Sequence, residues 1–323
     1  MPEDAMTQRS GKFSPPALPR LGLCCQFVSE SIPFYTATAT ALLRMSEPLR
    51  REKLSDLALS NGLSLQRAVE YCAASGIGCF RVASTILPVK THPEAGYSVD
   101  QLPRAGAIVA QFQRCGTLAA RLGVRLVFHP DQFVVLNSPK PDVVERSLAD
   151  LASHAELCDW LGADVVNIHG GGAYGDKATA LEVLRRAIDA LPDGIRQRLT
   201  LENDDKTFTP EDLLPVCHAA GVPLVYDVHH HRCLADGLTI DEATDAAAAT
   251  WNREPLFHLS SPLEGWAGRQ PHRHHDYIDP RDFPACWRRG DITVEIEAKA
   301  KELAVLSLKA ALEGWSTVCK VSK

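Results

Sequence analysis

The feature that most restricts this chain is an alternation, kept up along almost its whole length, between short apolar runs of β-forming residues and longer amphipathic stretches. The runs are LGLCCQF (21–27), CFRVAS (79–84), RLVFHP (125–130), DVVNIHG (164–170), LTLEND (199–204), PLVYDVHH (223–230), LFHLSS (256–261) and ITVEIEA (292–298), eight strand candidates in all. Between them stand helical patterns such as 106–123, 141–162 and 179–191, several with glycine just past the end, where the chain must leave the helix. Strands separated by helices are joined by crossovers and therefore run parallel. Eight such units predict a closed (β/α)8 TIM barrel of the α/β class, a single domain over 20–323, with an open doubly wound sheet as the alternative. Residues 1–19, rich in Ser, Pro and charge without a period, read as a flexible leader outside that domain. The stretch KAKELAVLSLKAALEGW (299–315) reads as a last helix that seals the barrel.

Side chains alternate faces along a strand, so residues two apart share a face. Leu126, Phe128, Val166, Ile168, Leu199, Leu201, Leu224, Tyr226, Val294 and Ile296 form one apolar set, expected to meet the helices. The complementary set turns polar late in each strand: Val127 then His129, Asn167 then His169, Thr200 then Glu202, Val225 then Asp227, Glu295 then Glu297. His129, His169, Glu202, Asp227, His230, His258 and Glu297 thus converge on the carboxyl ends of the strands, where barrels of this kind build their sites. Carboxylates crowded into a partly buried mouth repel one another and lose hydration unless cations neutralise them, and neutral imidazole is the commonest metal ligand. A divalent-metal centre follows. Its mixed nitrogen and oxygen shell without thiolate suits Mn, Zn, Fe or Co better than Mg. In DVHHH, Asp227 and His229 share a strand face, and His230 can turn inward only if the strand ends there, which parity does not decide.

Composition limits the function further. No apolar run approaches the roughly 18 residues of a membrane span, and no basic-then-apolar signal pattern opens the chain, so a cytoplasmic protein is expected. The ten cysteines lack paired spacing and read as buried thiols of a reducing compartment. A formal charge of −6 argues mildly against a nucleic-acid substrate, but bound divalent cations would cancel it locally. His154 and His218 fall inside helical patterns as packing or surface residues, and Gly170–Gly172 read as a tight strand-end turn rather than a phosphate loop. Trp287–Arg289 and Lys299–Lys301 read as solvated basic clusters.

The chain resembles the UV damage endonucleases, metal-dependent TIM-barrel enzymes of DNA repair. The resemblance runs through RLGLCC (20–25), FRVASTILPVKTH (80–92), FHPDQF (128–133), ERSLADL (145–151), HGGGAYGDK (169–177), LEND (201–204), YDVHH (226–230), FHLSS (257–261), HHDYI (274–278) and EIEAKAKE (295–302). It implies metal ligands at His92, His129, His169, Glu202, Asp227, His230, His258, His274 and Glu297, with Glu202, Asp227 and Glu297 as the catalytic carboxylates. It also implies a lesion-probing pair at Gln132 and Phe133, where the family carries Gln-Tyr, and places on Leu23 a tyrosine found in some members. A lysine that is carboxylated in some members falls on Leu256, and His272 is the expected substitute in this chain.

The implied reaction is hydrolysis of the phosphodiester immediately 5′ of a UV photoproduct or other distorting lesion, leaving a 3′-hydroxyl and a 5′-phosphate, by a multi-metal mechanism in which Glu202 is the bridging carboxylate. Manganese is the expected ion, on the order of two or three per chain, with Zn, Co or Mg as alternatives. The expected partner is damaged double-stranded DNA; no membrane is expected, and nothing points to a particular protein partner. Two other readings stay open at this level: a metal-dependent sugar (phosphate) isomerase on a related barrel, and a noncatalytic binder of damaged DNA.

Overall fold

The computed structural model describes residues 18–321; residues 1–17 of the expected leader lie outside the described residues. Eight short parallel strands close in sequence order: β1 (Arg20–Cys24), β2 (Cys79–Val82), β3 (Arg125–Phe128), β4 (Val166–His169), β5 (Leu199–Glu202), β6 (Leu224–Asp227), β7 (Leu256–Leu259) and β8 (Thr293–Ile296). Strand β8 pairs with β1 through Arg20 opposite Thr293 and Leu23 opposite Ile296, which removes both sheet edges and excludes the open doubly wound sheet. The helices around it are α1 (Ala39–Leu43), α2 (Glu47–Ser75), α3 (Ala105–Leu122), α4 (Pro141–Leu161), α5 (Lys177–Asp189), α6 (Asp193–Arg196), α7 (Pro210–Ala220), α8 (Val228–Cys233), α9 (Ile240–Ala249) and α10 (Glu302–Val321). Among the described residues no helix is long and apolar enough to cross a membrane.

The parity reading holds on every strand for which it was made. Leu126, Phe128, Val166, Ile168, Leu199, Leu201, Leu224, Tyr226, Val294 and Ile296 all lie in the large core between barrel and helices. A second, smaller apolar cluster of Cys79, Val127, Val165, Val225 and Leu256 fills the lower barrel interior. The barrel is therefore a packed core and not a pore. Helices α3 and α4 end at Gly123 and Gly162, with φ of 71° and 67°, a conformation that costs glycine little.

Helix α10 closes the assembly as expected: Ala304, Val305, Leu308 and Leu312 are buried in the outer core. Its first residue, Glu302, accepts hydrogen bonds from the Val28 and Ser29 amides and the Ser29 hydroxyl, fastening the loop after β1. Trp287 corrects the expectation of a solvated cluster at 287–289. Its indole is fully buried against Tyr226, Phe257 and Phe283 and donates from Nε1 to Thr244 Oγ1 at 2.8 Å. A large aromatic covers apolar surface more effectively than its charged neighbours, so the sequence cluster divides in space.

Candidate metal centre and groove

Strand register places the chemistry. His169 is level with Glu202 across β4 and β5, Asp227 with His258 across β6 and β7, and His258 with Glu295 across β7 and β8. The side chains form three overlapping groups with ligand atoms within 4.8 Å of one another: His129, His169 and Glu202; Glu202, Asp227 and His230; Asp227, His258 and Glu297. All seven residues that strand ends singled out meet in one cluster of overlapping groups. Glu202 belongs to two of these groups and Asp227 to two, so each is placed to bridge.

Local structure explains the orientation of each. Strand β6 stops at Asp227, which caps α8: its Oδ1 accepts the His230 amide at 2.8 Å. That helical turn rotates His230 into the cluster, with Nδ1 3.5 Å from Glu202 Oε1 and 3.0 Å from the Asn203 carbonyl. Asn203 also exchanges two hydrogen bonds with the backbone of Asp227, each 2.9 Å, and so fixes the strand end. His129 donates from Nδ1 to the Pro130 carbonyl at 3.0 Å, which leaves Nε2, 2.9 Å from Glu202 Oε2, as the nitrogen that could hold an ion. Glu202 Oε2 also accepts from Asn167 Nδ2 at 2.6 Å, and Asn167 is held in turn by Thr200 Oγ1 at 2.9 Å.

These groups perturb one another strongly. Burial alone would push the Glu202 carboxyl up, but the imidazoles of His258, His169 and His129 hold it well below the usual carboxylate range. Burial opposes the charge on His258, yet Glu202 beside it keeps the imidazole protonated far above its ordinary range. His230 behaves likewise, raised to about 9 by Asp227 and Glu202 against the effect of burial. His169 goes the other way, lowered chiefly by burial, which suits a neutral ligand.

The donor set fits a divalent cation. Asp227 Oδ2 and His169 Nδ1 are buried and have no hydrogen-bond partner within the protein. An unsatisfied buried polar atom costs roughly 1–3 kcal/mol, and a coordinated ion would satisfy both. Nitrogen and oxygen ligands without thiolate accord with Mn, Zn, Fe or Co.

Three of the expected ligand positions, His92, His274 and His272, lie outside these three groups. His92 stands outside the three groups; its Nδ1 accepts the amides of Glu94 and Ala95 at 3.1 and 3.2 Å, which turns the ring toward its own loop. His274 sits at the margin, with Nδ1 3.8 Å from Glu297 Oε2 and its ring 5.1 Å from that of His229. His229 is buried beneath it, Nδ1 donating to the Ser260 carbonyl at 3.3 Å. His272, the expected substitute for a ligand at position 256, is exposed and outside all three groups, because its segment follows the surface loop before β8. Leu256 lies in the lower interior cluster, directly beneath His258 on the same strand face. Leu23 faces the opposite way from the site, fully buried in the outer core, because Gly22 and Cys24 take the inward positions of β1.

Arg81 is the residue that the sequence reading passed over. It projects inward from β2 and is 8% exposed. Its Nη2 lies 2.6 Å from Glu295 Oε2 and 2.9 Å from His258 Nε2, while Nη1 lies 2.7 Å from Glu297 Oε1. A planar fork reaching two carboxylates at once is what guanidinium does and ammonium cannot. The available signal was parity: Arg81 shares the inward face of β2 with Cys79, and a lone inward arginine at a strand end requires anionic partners.

Above the centre runs a groove of about 980 Å³, reached by His169 and His230 from the metal cluster and by Gln132, Phe133 and Tyr174 from the loops. Phe133 is 75% exposed. Lys140, Arg146 and Lys206 also line the groove, against Asp131, Asp150, Asp204 and Asp205.

A TIM barrel whose strand ends gather four imidazoles and three carboxylates around shared, buried atoms has the form of an enzyme whose site could hold metal ions. The family model described as UV-endonuclease UvdE matches residues 19–323. A UV DNA damage endonuclease of Deinococcus radiodurans is 36% identical over 315 residues, covering 91% of this chain and 95% of its own. One of Bacillus velezensis is 35% identical over 291 residues, covering 86% and 88%. The crystal structure of SacUVDE superposes with a TM-score of 0.82 at 26% identity, covering 92% of this chain and 99% of its own. This chain belongs to the UV-endonuclease UvdE family.

Proposed function

We propose that the chain is a metal-dependent endonuclease that cuts DNA immediately 5′ of UV photoproducts and other distorting lesions, leaving a 3′-hydroxyl and a 5′-phosphate. The observation that carries this reading is the sharing of Glu202 between two ligand groups, each of which sends a histidine, His169 or His230, to a groove whose loops present Gln132 and Phe133. The substrate class comes from the names of the relatives, both UV DNA damage endonucleases.

His129, His169, Glu202, Asp227, His230, His258 and Glu297 would hold the ions, with manganese the favoured species and on the order of two or three per chain. Bound there, divalent cations supply Lewis-acid activation of water and neutralise charge on the departing oxygen. The protein's own part is orientation. Asn167, Asn203 and Pro130 fix Glu202, Asp227 and His129, and Arg81 holds Glu297 from behind. Asp131, Asp150, Asp204 and Asp205 beside Lys140, Arg146 and Lys206 leave the groove walls without a basic excess, so DNA affinity would depend on bound ions. Lesion choice rests on deformability: damaged DNA kinks and unstacks at lower cost, and Gln132 with Phe133 enters the opened step. Phenylalanine keeps the stacking face of the family's tyrosine without its hydroxyl.

The test is an end-labelled duplex carrying a cyclobutane dimer, a 6-4 photoproduct or an abasic site, incubated with protein and manganese, then with EDTA. Nicking 5′ of each lesion, ligatable 3′-hydroxyl ends and loss of activity in EDTA are expected. Nicking that survives exhaustive chelation, or none on any lesion, would refute the proposal.

A further inference from the structure

Tyr174 is an aromatic that nothing in the metal centre requires. It lies in the loop between β4 and α5, lines the same groove as Phe133 and is 53% exposed. Its backbone φ is 48°, a left-handed conformation that is costly for a bulky residue and is kept only when surroundings impose it. The surroundings are visible. Gly171 and Gly175, with φ of 84° and 97°, flank the turn, and the Asp176 amide donates back to the Ala173 carbonyl at 3.1 Å.

The tyrosine ring lies over Gly172, where a Cβ would stand 2.9 Å from ring carbon Cζ. A side chain at 172 would therefore displace the ring. The loop is also tied to the one that carries Phe133. Asn137, buried four residues beyond Phe133, donates from Nδ2 to the Gly172 carbonyl at 3.0 Å and accepts the Gly172 amide at 3.4 Å. One side chain thus fixes the positions of the two loops that offer exposed rings to the groove.

We propose that Tyr174 forms, with Phe133, a two-sided aromatic subsite that receives a nucleobase unstacked from the duplex, and that Gly172 and Asn137 hold its ring in position. The ligand class follows from chemistry: each nucleobase presents a π-face, and stacking on an exposed aromatic needs no particular base. Backbone strain at a bulky residue persists only where the surroundings over-determine it, which accords with a ring held in one position. The inference rests on the endonuclease reading above.

The experiment uses the manganese-loaded full chain and a dimer-containing duplex with 2-aminopurine opposite the lesion. Tyr174→Ala is expected to lower kcat/KM for nicking roughly 10- to 100-fold, the range that loss of one base stack gives, and Tyr174→Phe to restore it. Stopped-flow fluorescence before the nick should show quenching of 2-aminopurine in wild type and Tyr174→Phe, and a brighter signal in Tyr174→Ala. Gly172→Ala, which moves the ring without removing it, should fall between. If wild type nicks while Tyr174→Ala matches it within twofold, or Tyr174→Phe is as poor as Tyr174→Ala, the subsite is overturned and the endonuclease reading stands. If wild type nicks no damaged duplex, both fall.

Discussion

The barrel interior has two floors built from the same strands, and they are opposites. The lower holds Cys79, Val127, Val165, Val225 and Leu256, all fully buried. Two residues further along, on the same faces, stand Arg81, His129, Asn167, Asp227 and His258. A rise of about 6.6 Å separates oil from charge. The lower floor stabilises by burial and close packing; the upper gathers charges whose desolvation is offset by one another and would be offset further by the ions proposed to bind there. The fold therefore places a destabilising constellation on a rigid apolar base, and losses on the two floors should be separable: stability below, chemistry above.

The largest effect is expected on the upper floor at its shared ligand. Glu202→Gln keeps the shape and removes the charge, and should cost on the order of 10³-fold in nicking rate together with bound metal by elemental analysis. Normal metal content with normal rate would erase the distinction between the floors. Arg81→Met should blur it, because Glu295 and Glu297 lose the guanidinium that compensates them. A loss of about 3–5 kcal/mol in urea denaturation is expected, with Arg81→Lys recovering only part since an ammonium cannot span both carboxylates.

Leu256→Ala sharpens the comparison from below. Removing this side chain beneath His258 should cost about 2–5 kcal/mol of stability while metal stoichiometry and rate per folded molecule stay as in wild type. A drop in bound metal would show that the lower floor shapes the upper. The smallest effect belongs to His272→Ala, on the exposed loop: metal content within error of wild type is expected, and a lost ion would restore His272 as a ligand.

The family match and the close superposition extend over nearly the whole described chain, so departures from sequence expectation concern individual side chains and not architecture. Helix α2 shows why some elements read faintly. It buries Ser55, Asn61 and Ser64 along with Leu54, Leu65 and Val69, so polar and apolar positions do not separate cleanly along it. Asn61 and Ser64 are satisfied by contacts distant in sequence, Asn61 with the Tyr35 backbone and the Ile86 carbonyl and Ser64 with the Pro33 carbonyl.

What the sequence alone determined was everything with a short period. Eight strands, their two faces and six of the seven convergent residues follow from alternation every second residue, a property carried within each strand, whereas His230 turns inward because β6 ends at Asp227. The tertiary structure decided what depends on closure and on where loops come to rest. Parity cannot say that Arg81 would meet Glu295 and Glu297 more than 200 positions away, since that contact exists only because β1 brings β2 and β8 within reach. Nor can spacing along an irregular loop tell that His274 approaches Glu297 while His272 faces water. Local periodicity fixes which way a strand residue points; only packing of the whole chain fixes what it meets there.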